Sequence, residues 1–181
     1  MNTEIFNSFP ELKTKRLVLR QMNENDLEGV FKFNSSLANL NFIARKPFTD
    51  ISQAKEKLVF FMSGFPKKNG IWWTFTLKPE DKLIGYGGLF DIDSESNKSE
   101  VGYGLLEEYW GKGIVSEAVK AIVDFGFNEM ELNKIYGKIV PGNTASEKIL
   151  EKLGFKKEGV LVDDEFARGK YFDMGIYSRL K

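Results

Sequence analysis

Three strand-like segments follow one another between residues 71 and 106 with no helix between them, and this run constrains the architecture more than any other part of the chain. Ile71–Leu77 (IWWTFTL) alternates and is rich in aromatics, Pro79-Glu80-Asp81 interrupts it, and Leu83–Phe90 (LIGYGGLF) returns, which reads as a hairpin. The polar run DIDSESNKS then leads into Glu100–Leu106 (EVGYGLL). A parallel doubly wound sheet alternates strand and helix strictly, so strands in direct succession predict an antiparallel first half in a mixed sheet.

Helical spacing frames that run on both sides. Arg16–Arg20 reads as a short strand, and Asn23 or Asn25 can cap a helix with Leu27, Val30, Phe31 and Leu37 on one stripe. Asp50 with Gln53 resembles a capping box before Ala54, Leu58, Phe61, Met62 and Phe65. After YWGKG the period changes from two to about 3.6, with Val115, Ala118, Val119, Ile122 and Phe125 or Gly126 inward. Ile135–Val140 is a strand that stops at Pro141. A short helix from about Thr144 to Leu153 follows, with Gly154 where a left-handed cap is expected. Strands near Gly159–Val162 and Lys170–Ser178 close the chain. No repeat or low-complexity linker divides it, so residues 1–181 read as one domain of mixed α+β class, within the usual range of about 100 to 200 residues.

Composition removes much catalytic chemistry. With no histidine and no cysteine there is no Ser-His-Asp triad, no thiol nucleophile and no Cys/His zinc site, although an all-carboxylate magnesium or calcium site stays open. The missing disulfides suit a reducing cytoplasm. The charges balance, 26 basic against 26 acidic, which argues against direct electrostatic capture of nucleic acid. Met1–Arg16 lacks the apolar centre of a signal peptide, and no stretch approaches the ~18 apolar residues of a membrane span, so a cytoplasmic location is expected. Many of the 16 phenylalanines lie between Phe31 and Phe90, which points to a large core or a pocket there.

The stretch GYGLLEEYWGKGIVSEA, Gly102–Ala118, carries the chemistry. A strand ends, a glycine-bearing turn follows and a helix starts at once, which aims unpaired N–H groups and the positive end of the helix dipole at one point, a seat for phosphate. Lys112 adds a charge nearby. An ordinary tight strand-to-helix connection accounts for the segment equally well. The P-loop spacing is absent, and Ser116 stands where a dinucleotide fingerprint has its third glycine.

This segment resembles the acyl-CoA pyrophosphate loop of the GCN5-related N-acetyltransferase (GNAT) superfamily, Gln/Arg-x-x-Gly-x-Gly/Ala. Trp110 takes the first position, Gly113 the central glycine and Val115 the last small position, so two of the three depart from the pattern. YWGKG followed by Glu-Ala is similar to the RimJ/RimL-like branch. So are LKTKRLVLRQM with Asp26, NTASEKILEKLGFKKEGVL and GKYFDMGIYSRL, which extends the resemblance over roughly Leu12–Leu180.

The resemblance implies a mixed sheet of six or seven strands, flanked by about four helices and splayed at Glu100–Leu106, with pantetheine in the gap. Backbone groups of Leu105 and Leu106 would hold the pantetheine, and those of Gly111, Lys112, Gly113, Ile114, Val115 and Ser116 the pyrophosphate. Asn143 matches the family asparagine on the pantetheine arm, although Asn143 or Thr144 also reads as a plain N-cap, with Glu147 completing a capping box. Lys148 and Lys152 are candidates for the ribose phosphate. No metal is implied.

The implied activity is acetyl transfer from acetyl-CoA to a primary amine, in the first instance the α-amine of a protein N-terminus such as that of a ribosomal protein. A small amine, whether amino acid, polyamine or drug, is the alternative within the class, and a non-catalytic acyl-CoA-binding module the rival outside it. An α-amine with a pKa near 7.7 to 8.0 is roughly a tenth free at pH 7, whereas a lysine amine near 10.4 is almost wholly protonated. Glu100 is the first candidate base, with Asp173 and the pair Asp163 and Asp164 behind it. Leu150 stands where many members carry a tyrosine acid, which leaves Ser146 as the candidate partner of the thiolate. Without cysteine no cysteinyl acyl-enzyme can form, so direct transfer in a ternary complex is expected, by a monomer or a homodimer. Trp72, Trp73, Tyr86, Phe90 and Tyr103 either wall the acceptor site or pack the core.

Overall fold

The computed structural model describes residues 1–181. Its strands are β1 (Leu12–Lys13), β2 (Leu17–Gln21), β3 (Gly70–Leu77), β4 (Leu83–Asp93), β5 (Lys98–Leu105), β6 (Lys134–Ile139), β7 (Lys156–Ala167) and β8 (Lys170–Leu180). They form one sheet in the order β1-β2-β3-β4-β5-β6-β8-β7. β1 to β5 pair antiparallel in chain order, and within them β3 to β5 are the uninterrupted run of strands. β5 and β6 are parallel, but only from Lys98–Lys134 to Glu100–Tyr136. Beyond Glu100 the two strands separate, and the sheet opens there.

Helices α1 (Leu27–Ser35) and α2 (Ile51–Gly64) cover one face near the opening, and α3 (Ile114–Asn128) covers the other. The alternation of β3 divides its aromatics between them. Ile71, Trp73 and Phe75 pack with Ala118, Ile122 and Phe125, while Trp72 packs with Phe61 of α2. A register shift between Phe75 and Thr76 lets Ile84 face α3 while its neighbour Leu83 and, two residues on, Tyr86 face α1 and α2. Buried Asp26, just before α1, ties the layers together. It accepts two hydrogen bonds of 2.9 Å from Arg20 on β2 and one of 2.8 Å from Thr74 on β3. Asn23 caps the 3-10 turn Glu24–Asp26 that leads into α1, and the Asp50–Gln53 capping box starts α2 as expected.

Some expectations needed correction. The sheet has eight strands rather than six or seven, because two-residue β1 pairs with the edge of β2. Leu37 lies beyond the end of α1 and is 67% exposed, so it is not part of the inward stripe. The last hairpin is much longer than Gly159–Val162 suggested. β7 is an edge strand exposed on both sides along most of its length, so no inward-facing alternation marks its ends.

Candidate active site

The turn into α3 has the backbone geometry expected of an anion seat. Gly111 and Gly113 take left-handed conformations, φ 73° and 68°, and Gly113 caps α3 with no side chain to accept from its first turn. The N–H groups of Ile114, Val115 and Ser116 therefore have no acceptor in the chain and carry the positive end of the α3 dipole. Glu117 pins this end to the β1–β2 turn. Its carboxylate accepts from Thr14 Oγ1 at 2.6 Å, the Arg16 N–H at 2.8 Å and Arg16 Nε at 2.7 Å. Burial pulls the Glu117 carboxyl up, but these hydrogen bonds win and hold it below its ordinary value.

A cleft of about 470 Å³ runs from this seat along the gap in the sheet. Leu105, Gly111, Gly113, Ile114, Val115 and Ser116 line one side, with Asn143 and Ser146 of α4 (Thr144–Lys152) and its N-cap on the other. Leu106 does not reach it. Its side chain is buried and its N–H donates to Ile84 O at 2.9 Å. Backbone groups alternate along a strand, so those of Leu105 turn into the gap. The Leu105 carbonyl accepts from Trp110 Nε1 at 2.7 Å, which gives the departure at position 110 a job of its own: the indole closes the end of β5. The Lys112 side chain is exposed, bonding Glu108 O at 3.0 Å, and Lys148 lies on the exposed side of α4; neither lines the cleft. Asn143 combines the expected cap with a place on the cleft wall. Its Oδ1 caps α4 by accepting from the Ser146 N–H at 3.3 Å, and the residue lines the cleft.

A second cavity, about 220 Å³, lies beyond the same point, and Tyr103, Asn143 and Ser146 line both. Tyr103 OH donates to Ser146 O at 3.4 Å. Gly104 leaves space for the Phe33 ring at this junction; a Cβ there would lie 2.4 Å from Phe33 Cζ. Glu100 faces this cavity, and its carboxyl is pushed up to about 7. Burial is the main cause, Lys138 opposes it, and the charges of Asp91, Glu165 and Asp164 add to it. Leu150 is buried against the same cavity.

The other candidates separate clearly. Trp72, Tyr86, Phe90 and Tyr103 line the second cavity, but Trp73 is fully buried on the α3 face, its Nε1 donating to Pro10 O at 2.6 Å. Asp164 is paired with Lys138 at 3.0 Å. Asp173 Oδ1 accepts from the Asp163 N–H at 2.9 Å within the β7–β8 hairpin, and neither residue lines either cavity. The sequence reading missed Arg45 and Lys57, which line the second cavity. One signal for Lys57 was available: it falls on the stripe of α2 that buries Ala54, Leu58 and Phe61, where a charge is out of place.

A seat for phosphate, a long cleft ending at a pair of hydroxyls, and a basic carboxyl across that junction fit an acyl-CoA and an acceptor meeting end to end. Comparisons with known proteins identify the family. The acetyltransferase (GNAT) domain family matches residues 16–156. The chain is 37% identical over 170 residues to the uncharacterized N-acetyltransferase p20 of Bacillus licheniformis, covering 94% of this chain and 96% of that one. It is 33% identical to the putative ribosomal N-acetyltransferase YdaF of Bacillus subtilis (strain 168), covering 93% and 91%. Its fold matches that of RimL, the ribosomal L7/L12 α-N-protein acetyltransferase, in complex with coenzyme A, with a TM-score of 0.84 at 18% identity over 94% of this chain and 98% of that one. With acetyl-CoA as its cosubstrate and a RimJ/RimL-like set of segments, the chain belongs to the GNAT family of N-acetyltransferases.

Proposed function

We propose that residues 1–181 act as a single domain that transfers acetyl directly from acetyl-CoA to an α-amine, the first candidate being the N-terminus of a protein such as a ribosomal protein. The observation that carries this reading is the junction of the two cavities at Tyr103, Asn143 and Ser146, with N–H donors at the far end of one and Glu100 in the other. The N–H groups of Ile114 to Ser116 hold the pyrophosphate, and Asn143 and the Leu105 backbone hold the pantetheine.

Glu100 takes the proton from the ammonium form of the acceptor, directly or through one water. With a pKa of about 7 it is matched to an α-amine near 7.7 to 8.0, which is why an α-amine suits this site better than a lysine. The amine lone pair attacks the thioester carbonyl, whose oxygen gathers charge against the Leu105 N–H. As the C–S bond breaks, the electrons pass to sulfur, where the Ser146 hydroxyl donates a hydrogen bond to the thiolate, and the second proton, left on the new C–N nitrogen, passes through water to the sulfur to give the CoA thiol. Leu150, an alkyl side chain in the usual tyrosine position, leaves that task to Ser146. YdaF, named as a putative ribosomal N-acetyltransferase, supports a protein acceptor.

Initial rates at varied acetyl-CoA and N-terminal peptide concentrations test the scheme. Direct transfer gives intersecting reciprocal plots. Parallel plots would contradict it, and failure to turn over any N-terminal peptide would remove the protein acceptor.

A further inference from the structure

The second cavity is lined by charges of both signs. Glu100 lies within the influence of Lys138, Asp91, Glu165 and Asp164. Arg45, from the irregular segment 36–48, and Lys57, from α2, line the same cavity and lie within each other's influence. That segment is held from outside, where Arg168 Nη2 donates to Asn41 O and Ile43 O at 3.4 Å. The Arg45 guanidinium makes one hydrogen bond in the chain, Nη1 to Asn34 Oδ1 at 3.0 Å. Asn34 is itself fixed, fully buried and donating to Val30 O at 2.8 Å and Tyr86 OH at 3.0 Å.

Neither Arg45 nor Lys57 has a carboxylate partner; Arg168 and Arg179 lack one too, but they bond backbone carbonyls and line neither cavity. Arg20 is paired with Asp26, Arg16 with Glu117 and Lys138 with Asp164. Lys57 Nζ sits 4.6 Å from the centres of both the Phe60 and Phe61 rings. Burial, and then the charge of Arg45, pull its ammonium down to about 8. Two like charges brought together in an aromatic-walled cavity without a counter-ion leave an anion-shaped gap in the electrostatics. The coenzyme does not fill it, since neither residue lines the cleft that runs to α3.

We propose that the acceptor carries an anionic group of its own, a carboxylate or phosphate a few bonds from the amine, and that Arg45 and Lys57 bind this group while the amine is presented to Glu100. This rests on the acetyl-transfer reading and narrows it. An amino acid satisfies the chemistry, and so does a protein N-terminus with Asp or Glu among its first residues. A polyamine does not, because its distal ammonium would face Arg45 and Lys57.

The test uses matched acceptors. Free α- and ω-amino acids are set against their amides and the corresponding diamines, and N-terminal peptides bearing Asp or Glu against the same peptides bearing Asn or Gln. Acceptor-dependent release of CoA thiol is followed, and binding to the CoA-loaded protein is measured by calorimetry. The anion-bearing member of a pair should be favoured about tenfold or more, in the range of one hydrogen bond between charged groups. Arg45→Gln combined with Lys57→Met should collapse that ratio, and Lys57→Arg should keep it, with CoA affinity on the same samples reporting the fold. The arm that shows the preference identifies the source, free amino acid or acidic N-terminus. A wild-type ratio near one, a preference for diamines, or a ratio that survives the double substitution would overturn the proposal. Turnover without anion preference sinks this inference alone; anion-selective binding without CoA release from any acceptor sinks the transfer reading and leaves the anion site standing.

Discussion

Replacing Glu100 by Gln should make the protein more stable at alkaline pH and nearly inactive, because the burial that tunes the carboxyl also costs folding energy. The folded-state pKa is about 7 against 4.5 for the free side chain. Between those values the folded chain keeps a proton that the unfolded chain has lost, so stability falls as pH rises across the window. The full cost is present above about pH 7. At about 1.4 kcal/mol per unit the gap comes to about 3 kcal/mol. Gln keeps the shape without the charge, so this term disappears in the variant. Urea unfolding of both proteins without ligand at pH 4.5 and pH 8.5 should show the variant gaining about 3 kcal/mol on the wild type between the two conditions, with unchanged m-values. In the same preparations, acceptor-dependent CoA release should fall by roughly 10² to 10⁴, the typical worth of a general base, and the rise in kcat/KM through pH 7 should vanish. If the stability difference is the same at both pH values, the carboxyl is not held protonated by burial. If the rate and its pH profile survive, Glu100 is not the base.

Further outcomes follow from the site and the frame around it. At Gly113, whose φ is 68°, a valine must adopt a left-handed backbone and crowd the phosphate seat, so CoA affinity by calorimetry should fall about tenfold or more; intact affinity would undo the loop assignment. Ser146→Ala should lower kcat while leaving the Kd for CoA unchanged, and an unaltered kcat would remove the hydroxyl from the thiolate step. Asp26→Ala strips Arg20 of a buried bidentate partner and Thr74 of its acceptor, so urea unfolding should show a loss of about 3 to 5 kcal/mol; a loss below about 1 kcal/mol would mean the network does not hold β2, β3 and α1 together.

The parts of this fold that were legible in the sequence are those written in a few consecutive residues. The β3–β4 hairpin, the stripe of α3 and the Asp50–Gln53 capping box each repeat a local rule, and each stands where it was read. β7 gave a weak signal because water covers it on both sides. The seat at Gly111 to Ser116 was visible because a strand, a pair of glycines and a helix follow directly in the chain. Leu105 and Leu106 could not be told apart without the register against β4, which alone decides which amide faces the gap. Lys57 broke the apolar stripe of α2, but Arg45 was hidden for a different reason. It lines the same cavity because the irregular segment 36–48 is held by Asn34 inside and by Arg168 outside, contacts with no local pattern in the chain.

Acetyl transfer requires that the two cavities share one reaction. Mixing the protein with acetyl-CoA and an excess of an anion-bearing α-amine, then measuring free CoA thiol and acetylated amine together, tests this most directly. The structure leads us to expect equal amounts of both products, none without acceptor, and a rate that depends on Glu100. Tight binding of acetyl-CoA with no acceptor-dependent thiol release from any α-amine, lysine, diamine or polyamine would contradict it.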